Sequence, residues 1–181
     1  GGACRDAALK IAEADVLLLC TGAGFSADSG LPTYADIASV PAYAAQGLEY
    51  PDLCNPKMLR KHPDLFWGFW GNCFNRYRRT TPHEGYSVLD RWVESRFRHS
   101  KVAKEIQKEM VFLQPTGYDW QPSEFEPYHV TEHAGAFFIM TSNVDAHHHD
   151  WFHACEIREC HGNIELYQCA KAKAAACPGV W

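Results

Sequence analysis

Leu17-Leu18-Leu19-Cys20-Thr21-Gly22-Ala23-Gly24-Phe25-Ser26-Ala27-Asp28-Ser29-Gly30-Leu31 is an apolar run that breaks into a glycine-paired turn rich in small hydroxyl residues. The short continuous apolar stretch 16–20, preceded by Asp15, predicts a strand buried on both faces, as in a parallel sheet. The glycines predict a loop whose backbone can approach a pyrophosphate. The helix start that follows would add free N–H groups and the positive end of a dipole. A second apolar run, 136–140, leads into Thr141-Ser142-Asn143-Val144-Asp145, and a third, 154–159, into Glu159-Cys160-His161-Gly162. Strand, glycine loop, helices, strand, strand is the order of an α/β fold with crossover connections. Ligands of such sheets bind beyond the carboxyl ends of the strands, where all three motifs fall.

Between the strands the pattern is helical. Residues 5–14 carry alanine and leucine on one face. Residues 32–56 hold Pro32, Pro41, Pro51, Pro56 and Gly47 and predict a long ordered loop with short helical pieces, a candidate lid. Leu65, Phe66, Phe69, Trp70, Cys73, Phe74 and Tyr77 recur at helical spacing and predict a helix over 64–79. Pro63 suits its first turn, and Arg76, Arg78 and Arg79 suit its last. The bland reading of that aromatic stripe is core packing. Further helices are predicted over 83–96 and 97–110, and 113–130, with three prolines, reads as a surface insertion.

With 181 residues the chain is long enough for one domain with a real core, and 46% apolar content excludes a disordered chain. Net charge is −5 and basic residues form no run, which argues against a nucleic-acid backbone as partner. The apolar runs are too short for a membrane span. Eight cysteines are many, but without a secretory leader they predict reduced thiols, buried at Cys20 and Cys73, and an intracellular setting in cytoplasm or nucleus.

Asn143 and Asp145 lie two apart at a strand end, so both point to one side of an extended backbone and can grip a carboxamide through donor and acceptor together. The competing reading is an Asx-turn that closes the strand. His161, before a glycine, is a candidate general base, since imidazole titrates near neutrality; a histidine there also serves structure. His147, His148, His149, Asp150 and His153 form a dense cluster. His149 and His153 are spaced to share a helix face, as metal ligands can, but packing of the imidazoles is the simpler reading, and no metal is assigned.

Taken together and in this order, the motifs resemble the sirtuin family. Gly22-Ala23-Gly24, Ser26, Ser29-Gly30-Leu31-Pro32 is similar to the sirtuin cofactor loop, and the likeness continues through Leu48-Glu49-Tyr50-Pro51 and Lys61-His62-Pro63-Asp64-Leu65-Phe66. The resemblance covers residues 7–94 and 135–169. It implies a Rossmann-like doubly wound parallel sheet with a small helical and zinc-lobe module. The whole of 1–181 is then a single NAD-binding domain, with a loop and helical module at 35–94, an insertion at 95–130, and the start of a degenerate zinc lobe at 163–181.

The resemblance implies NAD as cofactor and an acylated lysine of a protein as substrate. The acyl oxygen attacks the ribose carbon bearing nicotinamide, nicotinamide leaves, and His161 activates a ribose hydroxyl for the next step. Gly22, Ala23, Gly24, Ser26 and Leu31 are then cofactor-loop residues. Asn143 and Asp145 line the nicotinamide pocket, with Asn143 also catalytic, Ser142 is a cofactor-binding residue on the ribose side, and Tyr34 covers the departing nicotinamide. Cys169 stands where the family places its first zinc cysteine, and Cys177 follows it; Ala172 stands where the next ligand is expected. Ser142 replaces a usual glutamine and Ala35 a usual arginine.

The family pattern continues beyond Trp181, so the resemblance expects a C-terminally truncated chain with little turnover of its own. Three alternatives stay open: an NAD-dependent protein ADP-ribosyltransferase, a non-catalytic NAD or ADP-ribose-binding module, and a metal-dependent hydrolase built on the histidine cluster. Nicotinamide release separates the two NAD-consuming enzymes from the others.

Overall fold

The computed structural model describes residues 1–33, 40–112 and 135–167. In chain order these form α1 (Gly2–Glu13), β1 (Leu17–Thr21), α2 (Ala23–Ala27), α3 (Pro41–Ala44), α4 (Tyr50–Leu53), α5 (Pro56–Lys61), α6 (Pro63–Arg79), α7 (Glu84–Trp92), α8 (Lys101–Phe112), β2 (Phe137–Thr141) and β3 (Ile157–Glu159). The Leu17 N–H donates to the Ala136 carbonyl at 2.9 Å, and the Ser142 N–H to the Thr21 carbonyl at 3.2 Å. Start pairs with start and end with end, so β1 and β2 run parallel. The sheet order β1-β2-β3 makes β2 the central strand. An α/β fold was legible in the sequence. The proposed insertion lies in part, and Tyr34, Cys169 and Cys177 wholly, outside the described residues.

The chain divides into two compact units. The first comprises Gly1–Cys20, Glu84–Thr141 and His148–Arg158. Its core is built from the apolar side of α7 and the turn after it (Tyr86, Leu89, Val93, Phe97) and from Phe137, Ile139 and Phe152, all buried. Each such side chain contributes about 1.5–3 kcal/mol on burial. Helix α7 passes into a π-helical turn, Val93–Phe97, rather than continuing as a regular helix. Gly135 is required just past that turn, because a Cβ there would stand 2.8 Å from the Arg98 Cα.

The second unit comprises Thr21–His83, Ser142–His147 and Glu159–Trp181. Proline opens each of α3, α5 and α6, where its missing N–H costs nothing. The Asn55 side chain caps α5 by accepting from the Lys57 N–H at 3.0 Å. The aromatic stripe of α6 is core, as its spacing predicts. Phe69 and Cys73 are buried with Leu53 and Ile164, and Tyr43 and Tyr50 meet the Phe69 ring edge-on at 6.2 and 6.1 Å.

Three sequence expectations are corrected. Strands β1 and β2 are not buried on both faces: burial alternates along each, and Leu18, Phe138 and Met140 are exposed. A continuous apolar run does not say whether one face or two are covered, and the described residues cover one. Cys20 falls on the open side of β1 and is exposed, whereas Cys73 is buried as expected. The third strand begins only at Ile157. Residues Ala154–Glu156 form a 3₁₀ turn closed by reciprocal bonds between His153 and Glu156.

Candidate active site

All three motifs that follow the strands enter the second unit, so the site can be described within it. β1 ends at Thr21, and Gly22, in extended backbone, caps α2, a single short turn of helix over Ala23–Ala27. Nothing stands within 4 Å of where a Gly24 Cβ would be, so this side of the loop is open, whereas a Gly22 Cβ would meet the Ser142 Oγ at 3.4 Å. The loop closes on itself: the Leu31 N–H returns to the Ser26 carbonyl at 3.3 Å, after Gly30 has turned the chain at φ +83°. Leu31 is buried beneath it. His83 braces the loop from outside, its N–H donating to the Ser29 Oγ at 3.0 Å and its ring meeting Phe25 edge-on at 4.5 Å.

The Ser26 hydroxyl donates to Asp145 Oδ2, and both residues are buried. The other carboxylate oxygen, Oδ1, accepts the His147 N–H at 3.0 Å. Asp145 therefore forms the Asx-turn that the bland reading expects, and it also ties the strand-end motif to the glycine loop. Asn143, two residues earlier, is 5% exposed. An amide and a carboxylate thus stand close together in sequence at a buried strand end beside an open glycine loop. That arrangement can donate to and accept from a planar amide at once.

His161 reaches this unit by a different device. The chain turns at Cys160–His161 and passes through Gly162 at φ +70°. Asn163 then fixes the turn, its Nδ2 donating to Glu159 Oε2 at 2.7 Å and its Oδ1 accepting the Glu165 N–H at 2.9 Å. The Ile164 N–H donates to the Val144 carbonyl at 3.0 Å, which joins the His161 segment to the residue between Asn143 and Asp145. His161 itself is exposed, so its imidazole is open to solvent and ligand.

The histidine cluster does not assemble into a metal centre: among the described residues, no group of three or more His, Cys, Asp or Glu side chains is placed to hold an ion. His147 and His148 are buried, with His148 edge-on to Tyr86 at 5.3 Å in the first unit, while His153 is exposed. Two features carried no sequence signal that would have found them. Ala146 adopts φ +62°, which nothing about an alanine announces, and His147 Nε2 bonds the Tyr77 carbonyl at 2.9 Å, a partner far away in sequence.

No protein-family profile matches the chain. It is 37% identical over 83 residues to an NAD-dependent protein deacylase of Deinococcus radiodurans, covering 46% of this chain and 32% of that protein. It is 24% identical over 170 residues to an NAD-dependent protein deacylase of Daphnia pulex, covering 93% of this chain and 47% of that protein. The chain thus spans between a third and a half of the length of these curated relatives. The fold is similar to that of a Sir2 homologue solved as an NAD complex, with a TM-score of 0.57 at 19% identity, over 92% of this chain and 48% of that one. The sequence is thus similar to named NAD-dependent deacylases over part of their length, and the fold is similar to that of Sir2.

Proposed function

We propose that this chain binds NAD through the Gly22–Asp145 site and takes part in NAD-dependent removal of acyl groups from protein lysine, with release of nicotinamide. The observation that carries the reading is the Ser26–Asp145 bond, which unites the glycine loop and the strand-end amide–carboxylate pair in one unit. The donor set fits a dinucleotide. The open flank of Gly24 leaves room for a phosphate against backbone, while the Phe25 N–H is taken by the Gly22 carbonyl at 2.9 Å. The buried Asn143 amide and the anchored Asp145 carboxylate suit a carboxamide.

When bound, NAD supplies a glycosidic carbon with nicotinamide as leaving group, poised for attack by an acyl oxygen. The rest is work for the chain. Ala23 and Gly24 would hold the phosphate, and Asn143 and Asp145 would orient the carboxamide. Ser26, whose hydroxyl proton goes to Asp145, could meet the ribose only as an acceptor. Leu31 would belong to the cofactor loop, Ser142 would meet the ribose, Tyr34 would cover the departing nicotinamide, and His161 would take the proton from a ribose hydroxyl. Cys169 and Cys177 are the residues that would contribute to a zinc site in the same reading.

The test is a calorimetric titration with NAD, paired with an assay of nicotinamide release in the presence of an acetyl-lysine peptide. The reading expects NAD binding that Asn143→Ala and Asp145→Ala weaken more than they lower the melting temperature. It also expects nicotinamide release that tracks peptide deacetylation. Binding indifferent to both substitutions, or nicotinamide release with label transferred to protein and no deacetylation, would overturn it.

A further inference from the structure

We infer that His147 is a positioning residue, whose buried imidazole clamps a strained alanine so that Asn143 and Asp145 keep their placing. The inference rests on the reading of residues 143–145 as the carboxamide-holding segment and assigns what holds that segment in shape.

Three observations meet here. Ala146 is buried with φ +62°, in the left-handed region that side chains bearing a Cβ rarely adopt and that persists only where the surroundings impose it. The residue before it is fixed on both carboxylate oxygens: Oδ2 takes the Ser26 hydroxyl, and Oδ1 spans Ala146 to take the His147 N–H at 3.0 Å. The residue after it, 1% exposed, has Nε2 at 2.9 Å from the Tyr77 carbonyl oxygen. A carbonyl only accepts, so Nε2 carries the proton and donates. Tyr77 lies in the last turn of α6, a 17-residue helix and the longest one described, and its carbonyl, which also accepts the Thr80 N–H at 3.2 Å, has a second lone pair for the imidazole.

Each bond answers the strain. Released from α6, the peptide between Asp145 and Ala146 would rotate to bring Ala146 back to negative φ. That rotation carries the His147 N–H away from Asp145 Oδ1 and loosens the carboxylate that Ser26 holds. A histidine that merely filled space would leave the turn unchanged when replaced by a side chain of similar bulk.

The experiment compares His147→Leu, His147→Gln, Ala146→Gly and the double variant Ala146→Gly/His147→Leu in the full chain, by thermal melting and by calorimetric titration with NAD. His147→Leu should weaken NAD binding roughly three- to tenfold. His147→Gln, whose amide can still donate to the Tyr77 carbonyl, should recover most of that loss. Ala146→Gly should recover it in the leucine background, because glycine takes φ +62° without strain. The two substitutions should therefore be non-additive in melting temperature as well. Unchanged NAD affinity in His147→Leu, or strictly additive melting shifts, would overturn the inference. If the unaltered chain binds no NAD, the cofactor reading fails, and the melting cycle alone decides the clamp: coupling upholds it and additivity sinks it.

Discussion

Ser26 and Asp145 lie 119 positions apart in sequence and share a buried hydrogen bond, the serine hydroxyl donating to a carboxylate oxygen. A bond to a charged acceptor inside a protein is worth more than a neutral one, and removing one partner leaves the other to bear its desolvation. Ser26→Ala should therefore cost about 1.5–3 kcal/mol in urea unfolding. Asp145→Asn should cost less in the Ser26→Ala background than alone, with a coupling energy above about 0.5 kcal/mol. Additive costs would mean that the two motifs sit side by side without holding each other.

The α/β order and its three strand-end motifs were readable because they depend on local signals: apolar runs, glycine pairs and turn residues. The α6 helix was readable for the same reason, since its stripe repeats at helical period from Leu65 to Tyr77. What stayed hidden is what the chain does at long range. Whether a strand is covered on one face or two depends on elements elsewhere, so Leu18 and Met140 read as buried and are exposed. Residues 154–156 read as strand because Ala-Cys-Glu carries no turn residue, but the His153–Glu156 reciprocal bonds close a 3₁₀ turn there. Asn143, Asp145 and His161 were found as chemistry-bearing residues in strand-end loops. Ala146 and His147, which fix their surroundings, carry no comparable signature.

In the first unit, Arg98 is the main polar anchor. Its guanidinium meets both oxygens of Glu156, at 2.7 and 3.1 Å, and the Glu156 carboxyl is almost wholly buried. Breaking a buried pair from one side leaves an uncompensated charge, which costs more than the pair contributes. Arg98→Met should cost about 3–5 kcal/mol by urea unfolding. Adding Glu156→Gln to Arg98→Met should recover part of that cost, because the remaining side chain is then neutral. A double variant no more stable than Arg98→Met would locate the loss in packing of the arginine stem instead.

Burial pushes the Cys73 thiol up from 9.0 to about 11, against a smaller pull from its hydrogen bond with Tyr77. The folded value lies above the unfolded one, so the core favours the protonated thiol. That contribution to stability is complete below about pH 9 and is lost as pH rises through about 11. The urea midpoint of the unaltered chain should fall over this window more steeply than that of Cys73→Ala. At mildly alkaline pH, iodoacetamide should label the exposed Cys4 and Cys160 well before Cys73, since the thiolate is the nucleophile. Labelling of Cys73 at the rate of Cys160 would show that this core opens.

His161 is exposed, and the turn that carries it is held by its neighbours: Gly162 at φ +70°, the Asn163–Glu159 bond, and the Ile164 N–H on the Val144 carbonyl. None of these uses the imidazole. His161→Ala should therefore change stability by no more than about 0.5 kcal/mol, as for an ordinary surface substitution. With His161 as the base of the proposed reaction, the same substitution in a longer form that spans the relatives' full length should cut deacetylation roughly 10²–10⁴-fold. NAD affinity should barely move, because binding is assigned to the glycine loop and to Asn143 and Asp145. The signature is a loss confined to turnover, with melting and NAD titration unchanged. His161→Ala with near-normal deacetylation removes it as the base, and a parallel loss of NAD affinity would move it from proton transfer to cofactor binding.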